Sequence, residues 1–160
     1  MAVAFKEWYA VCEALGNGVQ DVIIRKGGIH EGKGGFEFLH DRFYLFPTLF
    51  HKQASQVTAV AQQWMPQTEK KVWDVGESVF MKYRCNLESS ELITDWEKVL
   101  ELSDRHVYSE ALLRDRFDWQ GKGMDSGCIN VAYITTEVLD EPLEISYSKS
   151  HGGCRSWLEI

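Results

Sequence analysis

The residues most able to do chemistry lie between Arg25 and His51. Arg25-Lys26-Gly27-Gly28-Ile29-His30-Glu31-Gly32-Lys33-Gly34-Gly35 puts two adjacent cations and a histidine into a stretch with five glycines. Glycine permits positive φ and close backbone approach, so such a loop can aim several N–H groups at an anion. Arg25 and Lys26 would stand at the end of the apolar run Val22-Ile23-Ile24, a guanidinium fork and an ammonium placed to hold phosphate or carboxylate. The plain alternative is a basic hairpin loop.

Named loop motifs do not fit. Lys33 is followed by Gly34 and not by the Ser/Thr that a P-loop needs for magnesium. Gly32, Gly34 and Gly35 open an aromatic stretch where a dinucleotide loop would open a helix. The carboxylate helix of a Nudix hydrolase is missing, as is the E-x-K pair of a restriction-type nuclease centre.

The next group is His40-Asp41-Arg42-Phe43, followed by Pro47-Thr48 and His51. Histidine titrates near neutrality, so His40 and His51 are candidate general acids or bases, with Arg25 or Lys26 as the anion clamp. Structural hydrogen bonding is the competing role for each. No Cys/His spacing of a zinc site occurs, so no metal or cofactor is expected. A second polar region, Arg114 to Trp119, allows an ordinary Arg114–Asp118 surface pair. Alternatively Arg116 and Trp119 join Arg155-Ser156-Trp157 in a ligand wall, an indole stacking on a base and arginine meeting phosphate. Ligand candidates are therefore Arg25, Lys26, Gly27, Gly28, His30, Arg42, Phe43, Arg155 and Trp157.

Elements of known period must position these residues. Phe5, Trp8, Tyr9, Cys12 and Leu15 recur at helical spacing, predicting a short helix that ends at Gly16-Asn17-Gly18. Val22 to Ile24 reads as a buried strand, and Phe36 to Phe46 as one or two aromatic strands closed by Pro47. Ser55 is placed to cap a helix through Val57, Val60, Ala61 and Trp64, stopped by Pro66. A strand at Ser78–Cys85 follows, then a helix opened by the Thr94-Asp95-Trp96-Glu97 capping box and another capped by Ser109. Strands at Cys128–Val138, Leu143–Tyr147 and Ser156–Ile160 complete an α+β single domain over 1–160, with a mixed, mainly antiparallel sheet flanked by helices.

The chain of 160 residues, 44% hydrophobic, suffices for one continuous core. No apolar run approaches the ~20 residues of a membrane span, and the N-terminus lacks a signal-peptide pattern, so a cytoplasmic protein with no membrane partner is expected. Its four cysteines are scattered and read as free thiols; Cys154, beside Arg155 in a glycine turn, is the one to watch. A net charge of -7 excludes nonspecific coating of nucleic acid by sheer positive charge. Between Val22 and Lys52, however, five Lys/Arg stand against three Asp/Glu.

Four strings together, KEWYAVCEALGNG (6–18), VIIRKGGIHEG (22–32), FEFLHDRFYLFPTLFHKQ (36–53) and GGCRSWLEI (152–160), make the chain resemble the bacterial family catalogued as domain of unknown function 1802. The resemblance picks out Arg25, Lys26, Gly27, Gly28, His40, Arg42, Phe43, Pro47, Thr48, His51, Cys154, Ser156 and Trp157. Some relatives carry a restriction-endonuclease-like domain, which implies an accessory role in DNA restriction or repair and a restriction-endonuclease-type partner protein. The sequence therefore favours a nucleic-acid or nucleotide binding module. A small enzyme for a phosphorylated or carboxylated metabolite, and a protein-interaction domain, are the alternatives.

Overall fold

The computed structural model describes residues 2–27 and 37–160. Six strands form one mixed sheet: β1 (Val3–Trp8), β2 (Val22–Lys26), β3 (Arg42–Thr48), β4 (Ser78–Ile93), β5 (Ile129–Ser146) and β6 (Trp157–Glu159). Their order is β2-β5-β4-β3-β1-β6. β1 and β3 run parallel and every other pairing is antiparallel. Helices α1 (Tyr9–Gly16), α2 (Trp96–Leu100) and α3 (Glu110–Phe117) complete the expected α+β architecture.

The chain opens differently from its periodicity. Phe5 and Trp8 belong to β1, and the helix begins only at Tyr9. Spacings of three and four are compatible with either assignment at a strand–helix junction; here β1 is claimed on both edges, by β3 and by β6. Ala4 and Phe5 then point to opposite faces and join different apolar clusters. The larger cluster gathers Phe5, Leu15, Ile23, Phe43 and Ile129, and the smaller gathers Ala4, Phe46, Met81 and Leu158.

Three further expectations are revised. Pro47 lies inside β3, opposite Glu7, instead of closing it. Its lack of an N–H is tolerated because the ladder from β3 to β4 covers only Arg42 to Tyr44. The helix expected from Ser55 is two 3-10 turns, Gln53–Ser55 and Ala59–Trp64. Between them Val57 bridges Tyr108 and Thr58 N–H donates to the Val107 carbonyl at 2.7 Å, so tertiary hydrogen bonds replace helical ones. Finally, the two strands expected within 128–147 are one strand of 18 residues, β5, paired along the 16 residues of β4. Register shifts between Met81 and Tyr83 and between Leu87 and Ser89 let this long pair bend.

Helix capping follows the expected chemistry with one substitution of partner. Ser109 Oγ accepts from Leu112 N–H at 3.1 Å and starts α3. At α2 the cap is Asp95, accepting from Glu97 N–H at 3.0 Å, and not Thr94. Among the described residues no helix is long and apolar enough to cross a membrane.

Candidate functional site

The cationic residues at the end of β2 meet the C-terminal segment. Lys6, Trp8, Arg25, Lys26, Glu37, Thr48, Arg116 and the run Gly153 to Trp157 line one cavity of about 640 Å³. Sheet order explains the meeting. β6 pairs with β1, placing Trp157 opposite Phe5, and the Lys6 N–H donates to the Ser156 carbonyl at 2.8 Å. Lys6 Nζ donates to the Gly153 carbonyl at 2.9 Å, and the Trp157 indole N–H to the Glu37 carbonyl at 3.2 Å.

Beneath the cavity lies a buried polar network centred on Glu7, which is 1% exposed. Its carboxylate accepts from the Trp8 N–H and from the Tyr108 hydroxyl, each at 2.8 Å. Arg25 Nη1 stands 3.6 Å from it, while Arg25 Nη2 donates to the Lys6 carbonyl at 2.6 Å. The same guanidinium lies 4.7 Å over the Phe5 ring. From α3, Arg116 donates to the Ile24 carbonyl at 2.6 Å and lies over the rings of Trp8 and Tyr108 at 5.1 and 5.2 Å. Burial and then the neighbouring Arg25 lower the Arg116 pKa. Burial likewise lowers that of Lys6, helped by Arg155. The Tyr108 hydroxyl is driven far up, by burial first and then by Glu7, so it remains a proton donor to that carboxylate.

The cavity brings Arg25, Lys26, Arg155 and Trp157 together, as a shared cleft requires. Arg116 joins them, as the ligand-wall reading has it, but Trp119 does not. Arg42 is elsewhere: exposed, it pairs with Glu137 at 3.4 Å, a carboxylate that also binds Arg84. Phe43 is 1% exposed and supports Trp157 edge-on at 5.3 Å, so its own face is closed to a ligand. Gly27 serves packing: a Cβ there would collide with Cys128 Sγ and stand 2.9 Å from its carbonyl oxygen. Gly28 and His30 lie outside the described residues.

The two candidate histidines do not converge. His40 packs edge-on against Trp157 at 4.8 Å and lines a neighbouring cavity that shares Arg155 and Trp157 with the first. His51 lines a cavity with Phe50, Gln53 and Glu69 that shares no residue with it. The expected Arg114–Asp118 pair is also replaced, Arg114 pairing with Glu110 at 3.4 Å while Asp118 accepts from the Gly123 N–H.

A family model described as domain of unknown function (DUF1802) matches residues 4–160. The chain belongs to this family. In DUF1802 terms the strings at 6–18, 22–27, 37–53 and 152–160 are pieces of one construction, for they supply β1, β2, β3 and β6 and the walls between them. No curated protein matches the chain. Among solved structures it is similar to the ASCH protein of Zymomonas mobilis, at 12% identity and TM-score 0.54, covering 99% of this chain and 87% of that one. A tyrosine-to-phenylalanine variant of that protein matches at 13% identity and TM-score 0.55, covering 99% and 89%. A serine-to-alanine variant matches at 14% and 0.51, covering 91% and 73%. At these identities the likeness is one of fold.

Lys6, Glu7, Trp8 and Tyr108 were not picked out from the sequence. One signal for them was available: Lys6-Glu7 interrupts the apolar string Val3 to Cys12, where a surface pair would be expected on a helix but a strand buries one of the two.

Proposed function

We propose that this DUF1802 chain is a nucleic-acid or nucleotide binding module whose ligand enters the cavity between β1, β2, α3 and the C-terminal segment. One observation carries the reading. Lys6, Arg25, Lys26, Arg116 and Arg155 converge on a single cavity that also presents the Trp8 and Trp157 indoles, on a protein whose net charge is -7. A local reversal of charge beside aromatic rings suits a phosphate joined to a base: guanidinium and ammonium groups hold the phosphate, and an indole offers a stacking surface. Among the described residues only edge-to-face rings contact Trp157, none stacked flat on it. The cytoplasm, and an accessory role in DNA restriction or repair, belong to the same proposal. A restriction-endonuclease-type partner has no support in the geometry. The metabolite-enzyme alternative needs His40 and His51 in one pocket, and they line different ones.

Fluorescence anisotropy of labelled single- and double-stranded DNA and RNA at two salt concentrations tests the reading. Binding should fall as salt rises, because neutralised phosphates release counterions. Lys26→Ala/Arg155→Ala should weaken it roughly tenfold or more, at the usual worth of charge-assisted contacts. Arg42→Ala, whose guanidinium is engaged with Glu137, should leave it unchanged. No binding to any of the four, or salt-independent binding, would end the proposal.

A further inference from the structure

Among the described residues, the inner wall of the cavity holds more positive charge than is compensated. Arg25 and Arg116 both border it, yet Glu7 is the one carboxylate in the network below them. Among the described residues Arg116 has no ion-pair partner; its hydrogen bond goes to a neutral carbonyl and its planar group lies over two rings. Arg25 keeps a buried Nε–H without a hydrogen-bond partner among those residues. A buried cation without a counter-charge, and a buried donor without an acceptor, are each costly, and one ligand group carrying both charge and acceptor oxygens would relieve both. The rim repeats the imbalance, with Lys6, Lys26 and Arg155 against Glu37.

These charges are also recessed. The Arg25 side chain is 17% exposed and Arg116 is 8% exposed. A phosphodiester inside a strand carries one negative charge and a nucleotide on each side, so to touch both guanidiniums the strand would have to enter and leave the same recess. A terminal phosphate enters head first. It offers three oxygens to the two planar forks and carries a charge of about -1.5 to -2 near neutrality.

Resting on the nucleotide-binding reading above, we propose that the cavity selects a phosphate monoester, the phosphorylated end of a single strand or a nucleoside monophosphate, with Arg25 and Arg116 holding the phosphate and the Trp157 indole beside its base. The site is then an end-binding site and not a groove for passing strands.

The test compares the intact chain's affinity for a labelled single strand bearing a 5′-phosphate, one bearing a 3′-phosphate, the same strand with hydroxyl ends, and a hydroxyl-ended strand two nucleotides longer, whose two added phosphodiesters at least match the added charge. At least one phosphorylated end should bind about tenfold or more tightly than both hydroxyl-ended strands, as expected for charge-assisted bonds to a dianion. A nucleoside monophosphate should compete where its methyl phosphodiester does not. Equal binding of all four strands, with no difference between those two competitors, would overturn the end-binding inference while leaving nucleic-acid binding intact. Absence of binding by every strand and by both competitors would overturn the nucleotide reading itself, and this inference with it. Because the comparison varies the ligand on the unaltered protein, it does not depend on Arg25 or Arg116 variants folding.

Discussion

At the scale of single residues, the cavity rests on one buried acid. Glu7 aligns Arg25 by charge and takes the Tyr108 hydroxyl and the Trp8 N–H, so both of its oxygens are occupied. Removing its charge with Glu7→Gln leaves the shape and exposes the energetics: Arg25 and Arg116 would face each other with no counter-charge. Breaking a buried pair from one side costs about 3 kcal/mol, less where a partner keeps some solvent as Arg25 does. We expect a drop of about 2 kcal/mol in urea denaturation. A variant as stable as the parent would mean that the network does not hold the arginines. That Arg25 and Lys26 end a buried strand was legible, because they directly follow the apolar run Val22-Ile23-Ile24. Glu7 was not, because an acid in an apolar string looks identical whether it is solvated or buried.

At the scale of elements, the β2–β5 pairing delivers Arg25 and Lys26 to the cavity. Lys26 pairs with Ile129, and the Asn130 amide donates to the Lys26 carbonyl at 3.0 Å and the Gly27 carbonyl at 3.2 Å, fastening the end of the strand. The backbone passes so close to Cys128 that only glycine fits at position 27. Gly27→Ala should therefore cost about 1–3 kcal/mol, the usual penalty of overpacking, and should raise the reactivity of the buried Cys128 toward thiol reagents as the strands part. Adding Cys128→Ala removes the sulfur but not the carbonyl, so stability should return only in part. Complete recovery, or no loss to begin with, would show that this close approach is not what requires glycine. Such a contact is invisible in sequence, where Gly27 reads as the first glycine of a flexible loop.

At the scale of the whole molecule, folding shelters one histidine that does not line the cavity. His106 is buried, its Nδ1 accepts from the Tyr108 N–H at 3.1 Å, and its Nε2 has no partner among the described residues. Burial lowers its pKa to about 4. The unfolded chain titrates near 6.5, so between those values it binds the proton that the folded protein refuses. Stability from this residue is thus complete above about pH 6.5, declines as the pH falls toward 4, and levels off below; the total is on the order of 3 kcal/mol. Denaturation of the parent and of His106→Gln near pH 7 and near pH 4.5 checks this, the parent losing about 2 kcal/mol more than the variant. Equal losses would assign acid sensitivity to other groups.

The sequence by itself determined the class of fold, the buried strand ending in Arg25-Lys26, the Ser109 cap and the scattered free thiols, because period, capping chemistry and spacing act over a few neighbouring residues. It also named Arg155 and Trp157 as ligand candidates, though not that they share a cavity with that strand. Only the tertiary structure decided that β6 returns beside β1, that Arg42 is tied to Glu137 and Phe43 to the core, and that His40 and His51 part company. Those outcomes depend on which strands pair and which face turns inward. Such pairings join residues far apart in the chain, Arg42 and Glu137 by 95 positions, and the energies that select among them belong to the assembled core.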